Sequence, residues 1–180
     1  MARILILYWS EYGQTRRICE RLQSRLATQG HAVDAAALSE PGKSPADYDV
    51  VVIGASIRQG KHNPSVLEYI HSNKALLESR PSAFFSVSLI ARKPTRNTPE
   101  TNPYVKAFID RSPWKPTLVG VFGGELDYQR YGLFNRYAIR LIMTITKGPT
   151  DLHTKVEFTN WDDVDRFAGR IAALAAGHTA

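Results

Sequence analysis

The sequence has a single cysteine among its 180 residues, so no internal disulfide can form and a disulfide-stapled secreted scaffold is excluded. It has no apolar run of about 18 residues, the length a bilayer-spanning helix needs. The apolar start over residues 4–9 is short and runs straight into a turn, which is not the pattern of a secretory signal. No G-x-G-x-x-G fingerprint and no glycine loop ending in Gly-Lys-Ser/Thr is present, which argues against dinucleotide and nucleoside triphosphate P-loop sites. The histidines, His31, His62, His71, His153 and His178, share no ligand spacing, so no metal is expected. Internal repeats and low-complexity stretches are lacking as well.

What is present is an ordinary globular composition with an excess of cations, +6 formally. Such a surface suits an anionic partner, whether lipid, polycarboxylate or nucleic acid, and charge alone does not choose among them. One domain spanning 1–180 is long enough to bury a full core. Residues 3–8 hold a nearly continuous apolar run, the mark of a strand covered on both faces. Helical spacing follows over 15–27, with Thr15, Cys19, Leu22 and Leu26 on one stripe, so Cys19 reads as a buried structural thiol. Gly30 is placed to stop that helix. Further strands are expected at 31–37, 49–53, 82–87 and 118–122, a loop at 41–45, and helices at 64–77, 98–110 and 162–176.

Strand–helix alternation of this kind predicts a parallel sheet wrapped on both sides, an α/β fold. Right-handed crossovers make it doubly wound, and in the flavodoxin-like version five strands lie in the order 2-1-3-4-5. A ligand then sits at the carboxyl ends of strands one and three. One segment, 126–147, does not fit the alternation and reads as a long insertion after or within strand five.

Three loops meet at that edge. The first, Ser10-Glu11-Tyr12-Gly13-Gln14-Thr15, joins strand one to helix one, where backbone N–H groups are unpaired and the helix dipole favours an anion. Alone it is a weak signal, because Ser10 could simply cap the helix and Gly13 simply turn the chain. Arg16 and Arg17 oppose the dipole at about 0.3–1 kcal/mol each, a penalty that a phosphate nearby would remove. The second loop begins at Gly54 and offers Ala55, Ser56, Ile57, Arg58 and Gly60; the third offers Ser86, Val87, Ser88, Leu89, Ala91 and Arg92. Gly123 and Gly124 end strand five beside them. Small and apolar residues can lie flat against a ring while hydroxyls take its phosphate, which points to FMN as cofactor.

At Tyr12-Gly13-Gln14-Thr15-Arg16, Val52-Ile53-Gly54-Ala55-Ser56-Ile57-Arg58, Ala91-Arg92-Lys93-Pro94, Thr98-Pro99-Glu100-Thr101-Asn102 and Arg140-Leu141-Ile142-Met143, through to Trp161, the chain resembles a known family. This is the bacterial quinone-dependent protoporphyrinogen IX dehydrogenase family, flavodoxin-like enzymes of haem synthesis. The likeness runs in order along nearly the whole chain, and the Ala-Arg-Lys-Pro segment and the insertion are its specific parts. It implies FMN, oxidation of protoporphyrinogen IX to protoporphyrin IX, and electron delivery to a membrane quinone, either menaquinone or ubiquinone. It also implies peripheral residence at the cytoplasmic face of the bacterial inner membrane, with no nucleic-acid partner. Tyr12 departs from flavodoxins generally, which tend to have Thr there, so Ser10, Thr15 and backbone groups must hold the phosphate.

Within the insertion Phe134, Tyr137, Ala138, Leu141 and Ile145 recur at helical spacing beside a basic stripe of Arg136, Arg140 and Lys147. A basic amphipathic helix of this kind suits an anionic membrane surface; it could equally pack its apolar side on the domain. Arg92, Lys93, Arg136 and Arg140 are the candidates to hold the substrate's propionates, since guanidinium forks match carboxylates. His62 is the one histidine near the site, and a surface position at a helix start is the plainer reading of it. No catalytic acid or base is named. Rival readings are a flavodoxin-type electron carrier, an NAD(P)H:quinone reductase on the same fold, and a cofactor-free module using its basic face.

Overall fold

The computed structural model describes residues 1–40 and 42–178; position 41, the first of the loop expected over 41–45, lies outside them. Five runs pair as one parallel sheet, four of them rich in β-branched and aromatic residues and one edge strand mostly alanine. They are β1 (Arg3–Trp9), β2 (Ala32–Ala37), β3 (Val50–Arg58), β5 (Ser82–Ser88) and β6 (Leu118–Gly123), in the order β2-β1-β3-β5-β6. Counting parallel strands alone, this is the 2-1-3-4-5 order expected from the alternation. The added strand β4 (Lys61–His62) folds back antiparallel on the end of β3.

Both sheet faces are covered, which is why the strands are apolar nearly throughout. On one side α1 (Gln14–Thr28) and α5 (Trp161–His178) bury Ile18, Leu22, Phe167 and Ile171 against Ile4, Ile6, Val52 and Phe85. Cys19 lies in the same layer, fully buried, and burial pushes its thiol well up. On the other side α2 (Pro64–Glu78) and α3 (Pro103–Arg111) bring Val66, Ile70 and Phe108 onto Val51, Ile53 and Phe84. Helices α1 and α5 are also joined by Asp165, whose carboxylate takes two bonds of 2.7 Å from Arg21 and is held well below the usual carboxylate range by Arg21 and Arg25.

Helix α3 starts later than the expected residue 98. Asn102 is the reason: its side chain accepts from the N–H groups of Tyr104 and Val105, and Pro103 occupies the first helical position. Thr98 and Thr101 instead close a turn before it.

At Gly54 the sheet leaves no room for a side chain: a Cβ there would lie 2.1 Å from Cζ of the buried Phe85. Gly54→Ala is therefore expected to lower stability by about 1–3 kcal/mol through overpacking, measured by denaturant unfolding.

The segment after β6 is not a single insertion helix. It opens with β7 (Glu125–Asp127), continues into α4 (Leu133–Ile145), and returns as β8 (Lys155–Glu157), which pairs antiparallel with β7. This small sheet carries α4 across the carboxyl edge of the main sheet.

Candidate functional site

A cavity of about 300 Å³ lies between the carboxyl ends of the parallel strands and the inner side of α4. Its floor is built from the three loops singled out in the sequence. From the first, Ser10, Glu11, Tyr12, Gln14 and Thr15 line it; from the second, Ser56, Ile57, Arg58 and Gly60; from the third, Val87, Ser88, Leu89 and Arg92. Gly124 completes this side.

Helix α1 enters the site with its amino end bare. Gly13 caps it in a left-handed conformation, φ 95°, with no side chain bonded to the first turn, which contains no acid. Ser10 Oγ accepts from the Gly13 N–H at 3.1 Å and fixes that turn. The helix's remaining amino-terminal donors are the kind that bind anions. Arg16 and Arg17 have carboxylate partners of their own, Glu20 at 2.9 Å and Glu157 at 3.3 Å, and Arg17 also lies over the Trp161 ring.

Three buried hydroxyls at the cavity have no hydrogen-bond partner: Thr15 Oγ1, Ser56 Oγ and Ser88 Oγ, one from each loop. A buried polar group without a partner costs about 1–3 kcal/mol. Three of them converging on one apolar cavity fit a ligand that combines a ring with polar substituents and an anionic group, as a flavin nucleotide does.

The second loop owes its shape to the β3–β4 hairpin. Gln59 and Gly60, at φ 50° and 79°, form a two-residue turn with both residues left-handed. The hairpin is anchored by His62. Its imidazole is buried, with Nε2 2.9 Å from Ser86 Oγ and the ring 4.7 Å from that of Phe108. Burial, with a smaller contribution from Arg111, pushes the imidazole down to about 3. The surface position expected for His62 is thus overturned, and a neutral ring walled in by aromatics is no base for the cavity. Arg58, on the same hairpin, makes an ion pair with Glu11 and lies 6.0 Å from the centre of the Tyr12 ring, joining loops one and two.

Five of the expected cofactor residues do not line the cavity. Gly13 faces a neighbouring charged cleft, Ala55 lies in the core beneath α2, and the hydroxyl of Ser86 is bonded to His62. Ala91 packs with Val105 and Val121. At Gly123 a Cβ would stand 2.4 Å from the Phe158 carbonyl oxygen, so this glycine admits the chain leading to α5.

Helix α4 roofs the cavity with Asn135, Ala138, Ile139, Ile142, Met143 and Thr146 at its end. Its other apolar stripe faces outward: Phe134, Leu141 and Ile145 are 84%, 62% and 73% exposed. The helix is apolar on more than one side, and the stripe identified from spacing, Ala138 apart, is the solvent-facing one. Two of the expected propionate ligands hold this helix in place. Arg92 donates to the Leu89 and Thr146 carbonyls and to Thr146 Oγ1 at 2.8 Å. Arg136 donates to the carbonyls of Tyr128 and Tyr131. Arg140 is exposed, and Lys93 is half-buried outside the cavity lining.

Sequence reasoning missed Gln59, Ile90, Tyr104, Glu125 and Tyr131 as well as the inner side of α4. A signal existed for the last: Ile139, Ile142 and Met143 share helical spacing as good as that of the outer stripe. No signal marked Tyr104, which reaches the site only because α3 packs beside β4.

Comparison with known proteins agrees with this geometry. The flavodoxin domain family matches residues 5–153. The chain is 42% identical to an Escherichia coli K12 protein named "Protoporphyrinogen IX dehydrogenase [quinone]", over 96% of each chain. A Leishmania major protein of the same name is 40% identical over 96% of this chain and 75% of its own length. An archaeal flavodoxin superposes with a TM-score of 0.55 at 11% identity, covering 99% of both chains. A flavodoxin of Streptococcus pneumoniae TIGR4 gives 0.55 at 13%, covering 96% of this chain and 99% of its own. At such identities the structures speak for the fold alone.

Proposed function

The chain belongs to the flavodoxin domain family and, within it, to the protoporphyrinogen IX dehydrogenase [quinone] family of oxidoreductases, and from that premise we propose that it oxidises protoporphyrinogen IX to protoporphyrin IX, with FMN as cofactor and a membrane quinone as acceptor. The observation that carries this reading is the cavity itself: three unpartnered hydroxyls on its loop side, an apolar roof, and an apolar face turned outward on the roofing helix.

Thr15, Ser10 and the bare amino end of α1 would hold the phosphate; Ser56, Ile57, Gly60, Ser88 and Leu89 would flank the ring. Bound FMN supplies the two-electron chemistry that no side chain here provides. The chain's own part is to position and to exclude water. Leu89, Ile139, Ile142 and Met143 present apolar surface to a macrocycle or a quinone ring. Of the four basic candidates Arg92 lines the cavity and would meet the propionates there, while its bonds to Leu89 and Thr146 also hold α4; Lys93, Arg136 and Arg140 stand outside the lining.

Among the described residues no helix is long and apolar enough to cross a membrane. Attachment is by α4 lying on the anionic cytoplasmic face of the inner membrane, with Phe134, Leu141 and Ile145 in the acyl boundary and Arg140 and Lys147 at the headgroups. Menaquinone and ubiquinone both fit an acceptor taken from that layer.

The test is a quinone-coupled assay on FMN-loaded protein. Protoporphyrin is expected to form from the porphyrinogen with a quinone acceptor, and NAD(P)H offered in place of the porphyrinogen is expected not to reduce the quinone. A protein that stays colourless with FMN, or that turns over only with NAD(P)H, would sink the proposal. In the same preparation Thr15→Val and Ser88→Ala should each weaken FMN binding about tenfold, read by flavin fluorescence titration.

A further inference from the structure

We propose that Glu125 is the catalytic base of this site: its carboxylate takes the proton that the porphyrinogen loses at each two-electron step and passes it to solvent on the other side of loop one. The inference rests on the function proposed above.

Glu125 opens β7 immediately after Gly124, at the carboxyl edge of the main sheet. Its side chain is 9% exposed, yet it borders two spaces. One is the apolar cavity; the other is the open charged cleft walled by Arg16, Arg17 and Lys155. Among the described residues, the carboxylates lining the cavity are Glu11 and Glu125. Glu11 is committed to Arg58. Glu125 is held more loosely, 3.3 Å from Lys155 Nζ and 3.7 Å from an Arg130 nitrogen. Both contacts are longer than the roughly 2.7–2.9 Å of a charge-assisted hydrogen bond, so the two cations keep the carboxylate in place and leave it room to accept a proton. The other acid–base groups at the cavity serve poorly. Tyr131 is pushed up to about 12 by burial, and His62 is sealed behind the hairpin.

Each two-electron step would take a hydride from a bridging CH2 of the macrocycle, with bound FMN as its acceptor, and would leave the macrocycle cationic. In all, four bridging hydrogens and two N–H hydrogens are lost, so in two of the three steps the proton that follows is a pyrrole N–H and in the other it is a C–H of the remaining bridging CH2. Glu125 accepts that proton; the bonding pair stays on the ring and completes the new conjugated double bond. The proton then leaves through the cleft to water. The quinone is the final acceptor of the hydride equivalent, and one proton from solvent completes the quinol.

The test is anaerobic rapid mixing of FMN-loaded protein with protoporphyrinogen IX, following loss of the oxidised-flavin absorbance. Glu125→Gln should bind FMN like the wild type in a fluorescence titration, yet be reduced about a hundredfold more slowly, with added acetate restoring part of the rate. Glu125→Gln reduced at the wild-type rate would overturn the proposal. So would a slow Glu125→Gln that acetate does not rescue, since that marks a structural role. If FMN-loaded wild type is not reduced by the porphyrinogen at all, the functional reading itself fails, and that outcome is distinct from either.

Discussion

Replacing Phe134, Leu141 and Ile145 together by aspartate is expected to lower binding to anionic vesicles by a hundredfold or more, about 3 kcal/mol, on the usual value of buried apolar side chains. The three side chains are 84%, 62% and 73% exposed, so the fold does not use them. Charged replacements there should change folding stability by less than about 0.5 kcal/mol. The inner side of α4, with Ile139 and Met143 over the cavity, is left intact. The variant should therefore still bind FMN and still reduce a water-soluble quinone, while losing turnover with quinone dissolved in vesicles. Raising salt should weaken the wild type further, because Arg140 and Lys147 each contribute about 1 kcal/mol at an anionic surface. Co-sedimentation with vesicles of phosphatidylglycerol in phosphatidylcholine measures the binding. If the triple variant binds as the wild type does, α4 is not the attachment surface.

The second large effect is on stability in acid, and it comes from His62. In the folded chain its imidazole is pushed down to about 3; in the unfolded chain it titrates near its ordinary value of about 6.5. Above that ordinary value both states are neutral and stability is complete. As the pH falls below it, the unfolded chain takes up a proton that the folded chain refuses, so stability is lost progressively until the folded value is reached. Between pH 7 and pH 4 the loss is roughly 3 kcal/mol. His62→Gln retains a side chain able to bond Ser86 Oγ but removes the titration, so its stability should be flatter over that range. Asp165 adds its own acid loss, since its depressed carboxyl stabilises the fold above the usual carboxylate range and ceases to as pH falls toward the folded value. That contribution is common to both proteins and cancels in the difference. Denaturant unfolding at the two pH values is the measurement; equal slopes in wild type and variant would refute the assignment.

Residues 3–8 and 49–53 announce buried parallel strands because after Arg3 and Asp49 each is apolar without interruption, a pattern that suits a strand whose two faces are both covered by helices. Helices α1 and α5 were legible from single, well-separated apolar stripes. The loops at the carboxyl edge followed from that topology, and with them most residues of the cavity floor. Helix α3 was misjudged at its start because Thr98–Thr101 is compatible with either a turn or a helix, and the side-chain cap of Asn102 chose the turn.

The remaining decisions were tertiary. The sequence of α4 carries two apolar stripes, and local physics cannot rank them. What turned Ile139 and Met143 inward was the packing of this side on Leu126 and Tyr128 and the bonds that Arg92 and Arg136 make to the carbonyls of Thr146 and Tyr128; Ile142, at the cavity's margin, stays half exposed. The same bonds took those two arginines out of the free cationic surface. His62 reads as a surface residue until Gln59 and Gly60 fold it back against the stacked rings of Phe84 and Phe108. Periodicity determined by itself that strands and helices form and in what order. Which side of a helix meets the cavity, and which polar groups are left unpartnered there, depends on partners brought from elsewhere in the sequence, and only the folded chain supplies them.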